Sequence, residues 1–206
     1  GTRSLAGMRP ARGRLLRPFL GLRRADTLAI CEAEGLDPWH DPSNADPAFA
    51  RSRTRVEVLP LLEEKLGPGV AESLARTAAI LQLDADYLED VANDTFLELR
   101  EQSGGTISLP EEALRGLAPA VRFRVIAKAA ATVGGQQPSY QRLLAAEALL
   151  RRQGSAGPVE LPGGVSVYRL SLAQLLAEGQ PGPGGVPREA ARCGKLVFRP
   201  QKPPKI

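Results

Sequence analysis

Apolar residues at steps of three and four dominate the middle of the chain. Val56, Leu59, Leu62 and Leu66 share one helical face, and Gly67-Pro68-Gly69 breaks the run. A second stripe then runs through Val70, Leu74, Ala78, Leu81, Ala85, Leu88, Ala92, Thr95 or Phe96, and Leu99. It predicts a helix of about 45–50 Å, reaching residue 102. Shorter helices are predicted at 24–34, closed by Gly35, at 119–133 and at 139–153. Ser108-Leu-Pro-Glu111 has capping-box spacing and is read as opening one more, to Leu117. In the first of these, Leu28, Ala29 and Cys31 or Ala33 are expected to face inward, with Trp39 packed beneath the following turn. The helix at 139–153 is expected to bury Tyr140, Leu143, Leu144 and Ala148 and to leave Arg142, Arg151 and Arg152 outside.

Periodicity of two is confined to the ends. Residues 1–13 read as a loop and 14–20 as a short strand stopped near Pro18. Residues 159–170 predict a hairpin around Pro162-Gly163-Gly164, and 195–199 a third strand. A flexible loop is expected at 181–185 and disorder in the Lys- and Pro-rich tail. The fold class is therefore mainly α with a small C-terminal β-hairpin or sheet, in three parts: 1–60, 61–154 and 155–206.

Composition narrows the chemistry. No stretch of 18 apolar residues occurs, and the Arg-rich opening lacks the pattern of a signal peptide. One histidine and two distant cysteines, Cys31 and Cys193, are too few for a zinc site and argue against a disulfide framework, which fits a reducing, cytoplasmic setting. Neither G-x-x-x-x-G-K-[ST], G-x-G-x-x-G nor G-x-S-x-G occurs. His40 beside an Asx turn reads as structural. The carboxylates Asp86, Glu89, Asp90, Asp94 and Glu98 on the long helix read as a solvated face rather than a metal cluster.

The net charge of +4 hides a segregation. Lys/Arg stand against Asp/Glu as 10 to 7 in residues 1–60, 4 to 12 in 61–120, and 13 to 4 in 121–206. Basic ends around an acidic middle are the footprint of a polyanion binder whose acidic segment faces elsewhere. Arg124 and Lys128, at i and i+4, call for an anion between them. The sharpest feature is Asp41-Pro-Ser43-Asn44, good turn chemistry, followed by Arg51, Arg53 and Arg55 at alternate positions. If extended, all three point one way; if helical, Arg51 and Arg55 still align. Guanidinium forks grouped in this way suit phosphate or carboxylate.

The same region carries a longer series. It runs Arg17-Pro-Phe-Leu20, a helix, Trp39-His-Asp-Pro-Ser-Asn44, Asp46, Phe49-Ala-Arg-Ser-Arg-Thr-Arg55 and Leu59-Pro-Leu-Leu62. This resembles the tRNA(Ile)-lysidine synthases, whose pattern is Arg-Pro-Leu-Leu, Asp-x-Ser-Asn, Arg-Asn-x-x-Arg and Leu-Pro-x-Leu. Residues 1–8 are similar to the segment after that family's Asp-Asp-Gln-x-Glu-Thr stretch, and Leu161-Pro-Gly-Gly-Val165 to a turn in its C-terminal region. The resemblance is close over 1–62 and loose over 63–206. Ser52 stands where the family usually has asparagine. The family's Ser-Gly-Gly-x-Asp-Ser loop for ATP pyrophosphate does not occur in this sequence; the family places it upstream of anything matching Gly1.

The resemblance implies an ATP-dependent ligase that adenylates C2 of the wobble cytidine in a CAU anticodon, after which lysine displaces AMP. ATP with Mg2+ is the implied cofactor. The implied partners are tRNA(Ile), lysine and ATP, with no membrane and with room for a homodimer. Residues 1–60 become the end of a catalytic α/β nucleotide-binding domain, 61–154 a helical tRNA-binding domain, and 155–206 a small β region. Arg51, Arg53 and Arg55 would contact tRNA phosphate or the reacting groups, and Asp41, Ser43 and Asn44 would shape the turn presenting them. The resemblance assigns no catalytic, ATP-binding or metal residue here, so this stretch by itself is not expected to make lysidine. Two other readings are a stand-alone RNA-binding module and a helical domain that docks a protein.

Overall fold

A computed structural model describes residues 2–177 and 194–201. The expected loop at 181–185, Cys193 and the tail at 202–206 lie outside the described residues. The chain forms two compact units, Gly1–Ala85 and Asp86–Ile206.

The first unit is helical. The opening, expected as a loop, holds a short helix α1 (Thr2–Leu5) and a hairpin of β1 (Ala11–Arg12) and β2 (Leu15–Leu16). Only two residues of the strand expected at 14–20 pair; Arg17 instead ties back to the Arg9 and Pro10 carbonyls at 3.0 and 2.8 Å. Helix α2 (Arg24–Ala33) starts with the Asp26 carboxylate accepting from the Arg23 N–H at 2.8 Å, and Gly35 beyond it takes a left-handed φ of +65°. A 3-10 turn at Pro42–Ala45 precedes α3 (Ala50–Arg53), a π-turn (Thr54–Val58) and α4 (Leu59–Leu66), three segments of continuous helical backbone. Leu59 donates to the Thr54 carbonyl, and Pro60 follows at once. Widening the helix here relieves the clash a proline ring makes with the carbonyl four residues back.

Inward-facing residues of α2 are not buried as expected. Leu28 is 38% exposed, Cys31 is half-buried, and Trp39 is 85% exposed rather than packed beneath its turn. The amphipathic pattern is present, but no layer within this unit covers it. Its buried residues among those described are Ala6, Ser52 and Ala85. Helix α5 (Val70–Leu99) begins in this unit, where Leu74 is 54% exposed, and ends in the next.

The second unit holds the core. The chain after α5 turns into β3 (Glu101–Ser103) and β4 (Thr106–Pro110), then α6 (Glu111–Gly116), α7 (Pro119–Gly134) and α8 (Tyr140–Ala148) with a 3-10 turn at Leu149–Arg151. Strands β5 (Ala156–Leu161) and β6 (Val165–Leu170), helix α9 (Leu172–Ala177) and β7 (Lys195–Pro200) complete it. The sheet is antiparallel with order β3-β4-β7-β6-β5. Ile107 faces Phe198 and Leu109 faces Leu196 across β4 and β7, and Val167 faces Phe198 across β6 and β7. These side chains meet Ala92 and Phe96 of α5 and Val125, Ile126 and Ala129 of α7 in one cluster.

The expected hairpin and third strand form, but the sheet takes in residues read as helix. Gly104 and Gly105, at φ of +54° and +78°, make a two-residue turn, so 101–103 pair with 106–108 instead of prolonging α5. Ser108 is a buried strand residue, not a cap; Pro110 occupies the N-cap of α6. Helix α8 is rotated from its expected face. Tyr140 is 67% exposed, while Ala146, Glu147, Leu149 and Leu150 are buried. A glutamate inside the fold is what the apolar pattern could not register.

Candidate nucleic-acid interface

The turn before the arginines is built by its own side chains. Asp41 caps the 3-10 turn, its carboxylate accepting from the Ser43 N–H at 2.8 Å, and that backbone bond holds its pKa below the usual carboxylate value. Asp46 accepts from the Ala48 N–H at 2.8 Å. The Ser43 carbonyl then receives the buried Ser52 hydroxyl at 3.1 Å, which fixes the turn against α3. An outward loop is thus locked to the helix that carries the arginines.

Because residues 50–58 are helical, the three arginines do not form an alternating comb. Arg51 and Arg55 share a face one turn apart. Arg53 turns away and donates to the Pro47 carbonyl at 2.7 Å. Arg51 and Arg55 open onto two adjoining hollows. One, of about 640 Å³, is lined also by Leu22, Arg23, Arg24, Thr27 and Leu59. The other, of about 500 Å³, is lined also by Arg24, Ser43, Asn44, Phe49 and Ser52. Asp41 lines neither; it shapes the turn that brings Ser43 and Asn44 there.

Neither hollow has an Asp or Glu among its lining residues. Two like charges one helical turn apart cost about 0.2–0.5 kcal/mol when nothing neutralises them. Anions with several acceptor oxygens, phosphate above all, match such a set of guanidinium forks.

A PP-loop domain model matches residues 1–62, and a TilS substrate binding domain model matches residues 109–181. The tRNA(Ile)-lysidine synthase of Leifsonia xyli subsp. xyli is 48% identical over 164 residues, 79% of this chain and 49% of that protein. That of Salinispora tropica is 44% identical over 176 residues, 82% of this chain and 52% of that protein. The Mycobacterium tuberculosis protein of the same name is 48% identical over 126 residues, 61% and 39% of the two chains. The chain thus carries matches to both domain models and is similar over about four-fifths of its length to proteins named tRNA(Ile)-lysidine synthase. It spans about half the length of the curated relatives it matches most fully.

Set beside the lysidine synthase pattern Arg-Asn-x-x-Arg, Arg51 and Arg55 occupy its two fixed arginines and Arg53 a variable position. That agrees with Arg53 facing away from the hollows. Sequence reasoning passed over Arg24, counted only as part of a basic opening. Its place beside Arg51 depends on how α2 packs, which no local spacing encodes.

In the second unit part of the acidic segment pairs with the basic one, while Asp90, Asp94 and Glu98 stay exposed as expected of a solvated face. Glu89 lies 2.6 Å from Lys128 and 4.0 Å from Arg124, so the anion this pair called for is internal. Glu101 meets Lys195 at 2.5 Å, and Glu111 meets Arg115 at 2.5 Å and Arg169 at 2.9 Å. Glu147 takes Arg122 at 3.1 Å and also Arg151, which stays exposed as expected. Arg142 and Arg152 are exposed and have no such partner among the described residues.

Proposed function

We propose that this chain is the tRNA-binding portion of a tRNA(Ile)-lysidine synthase, an ATP-dependent ligase joining lysine to C2 of the wobble cytidine of CAU-anticodon tRNA(Ile). The observation that carries the reading is the arrangement of Arg51 and Arg55. The two fixed arginines of the family pattern share one of their two hollows with Ser43 and Asn44, and no carboxylate lines either hollow. In this reading residues 1–60 end the catalytic α/β domain, 61–154 form the helical substrate-binding part, and 155–206 add the β region. The relatives' name supports tRNA(Ile) as the partner and lysine as the group transferred.

What these residues do is bind and orient. Arg51 and Arg55 hold phosphate oxygens, Asn44 offers its amide from the turn, and Asp41 and Ser43 keep that turn in place. Arg53 braces the turn through Pro47 and has further N–H groups for the same polyanion. ATP, when bound, supplies the adenylate that lysine displaces, and the hollows have the charge to accept phosphates. Mg2+ is a different matter. Among the described residues no three His, Cys, Asp or Glu side chains gather to hold a metal ion, so no step is derived through it.

The test is a titration of the chain with CAU-bearing tRNA(Ile) and a control tRNA at several salt concentrations. Affinity should fall as salt rises, with log K losing about 0.7–0.9 per decade of salt for each phosphate contacted. Arg53→Ala and Arg55→Ala should each weaken binding, or abolish activity in a full-length enzyme. Both variants binding and turning over like wild type would make the arginines ordinary surface. Equal binding of the control tRNA would leave an RNA-binding module without anticodon choice. No binding near physiological salt would favour a protein-docking role.

A further inference from the structure

We infer that Arg24 is the third member of a phosphate-binding site formed with Arg51 and Arg55. The inference deepens the reading above and rests on it only for the source of the phosphate. Two residue sets line the adjoining hollows, and Arg24, Arg51 and Arg55 are the arginines common to both. None of the three makes a side-chain hydrogen bond or ion pair with another described residue. The adjacent Arg23 behaves otherwise. It reaches Glu72 in an ion pair and is thereby neutralised.

The other polar groups of the hollows are mostly engaged. Thr27 donates its hydroxyl to the Arg24 carbonyl at 2.8 Å, Thr54 to the Ala50 carbonyl at 2.8 Å, and Ser52 to Ser43 at 3.1 Å. That leaves the three guanidiniums, with the Asn44 amide, as donors facing the space. Leu22, Ala50 and Leu59 form apolar wall beside them. Apolar wall beside a set of like charges focuses their attraction for an anion. Donors with no acceptor, positive charge and an apolar wall define a ligand with several anionic oxygens. An RNA phosphodiester and the pyrophosphate of a nucleotide share that chemistry.

The experiment measures binding of a CAU anticodon stem-loop RNA and, separately, of inorganic pyrophosphate to the 206-residue chain. Variants are R24A, R24K, R51A and R55A. R76A, on α5 of the same unit, removes an equal charge away from the hollows, and a thermal melt checks the folding of each. R24A, R51A and R55A should each lose about tenfold or more for at least one probe, R24K should recover only part because an ammonium cannot fork, and R76A should stay within about twofold. Loss confined to pyrophosphate assigns the site to nucleotide phosphates; loss confined to RNA assigns it to the polynucleotide backbone. R24A binding both probes like wild type, or R76A losing as much as R24A, overturns the inference. Wild type binding neither probe overturns it too. Wild-type affinity for both probes in a folded R24A protein, with R51A and R55A still impaired, sinks the role of Arg24 and leaves the lysidine synthase reading intact. Pyrophosphate binding that needs Arg24, without any RNA affinity, does the reverse.

Discussion

The Ser52 hydroxyl donates to the Ser43 carbonyl oxygen at 3.1 Å, joining the helix that carries Arg51 and Arg55 to the turn that carries Asn44. Ser52 is 5% exposed in a unit with little other burial, so this bond has few neighbours to replace it. Ser52→Ala should cost about 1 kcal/mol and loosen Asn44 relative to the arginines. Ser52→Asn, the residue usual in the family, keeps a donor and should cost less. Urea unfolding of both variants, read with tRNA affinity, checks this. An unchanged midpoint and affinity for Ser52→Ala would show that the strut carries no weight.

Glu63 ties α4 to the start of α5 by accepting from the Gly69 and Ala71 N–H groups at 2.7 and 2.9 Å. The Ala71 backbone bond, with smaller help from Gly69, Val70 and Arg23, holds its pKa below the ordinary 4.5. A lowered folded pKa means the unfolded chain binds the proton more readily. The stabilisation is therefore fully present above about pH 4.5 and is lost as pH falls through the lower folded value. Glu63→Gln should flatten this acid limb by lowering the profile above about pH 4.5, the two proteins converging at the acid end. Melting temperatures between pH 3 and 7 for both proteins provide the comparison.

Gly134, at the end of α7, packs against the β5–β6 turn so closely that a Cβ would sit 2.8 Å from the Gly163 carbonyl oxygen and strike the buried Val165 side chain. Neither neighbour is a flexible side-chain tip. Gly134→Ala should cost about 2 kcal/mol or more. Gly163→Ala adds left-handed strain at φ +80° to its clash with the Gly134 carbonyl, and should cost at least as much. Gly135→Ala should lose less: it also has positive φ, at +71°, but a Cβ there meets nothing within 4 Å. Chemical denaturation of the three variants ranks them.

Glu147 is 4% exposed and takes Arg122, whose side chain is 16% exposed, on one side and Arg151 on the other. Glu147→Ala should cost about 3 kcal/mol, because it strands the guanidinium of Arg122 in a dry setting. Pairing it with Arg122→Met should recover much of that loss. A double-mutant cycle by urea unfolding measures the coupling, and independent, additive losses would contradict it.

Legibility in the sequence followed the range of the interaction. Helices α2, α5 and α7 show their period in single side chains, and β6 and β7 show alternation. Glu101-Gln-Ser looks like a helix end because its partner strand lies across a Gly-Gly turn, and Ser108 looks like a cap because β7 is far away in sequence. At the site, Asp41, Ser43, Asn44, Arg51 and Arg55 could be read from turn chemistry and spacing. Which way Arg53 turns depends on residues 50–58 being helical, and the place of Arg24 depends on tertiary packing. The pairing of Glu111 with Arg169 across β7 was equally invisible, since local charge counts carry no information about partners.

The ion pairs of the second unit give salt two separate effects on this molecule. Raising ionic strength weakens a polyanion held by exposed guanidiniums, because the screening length contracts from about 10 Å at 0.1 M to about 3 Å at 1 M. The same salt barely reaches Glu111 or Glu147, which sit behind protein with their cations already in contact. If the proposed polyanion binding holds, a concentrated-salt wash would strip nucleic acid from the chain while leaving the second unit standing, and the stripped protein should rebind on dilution without refolding that unit.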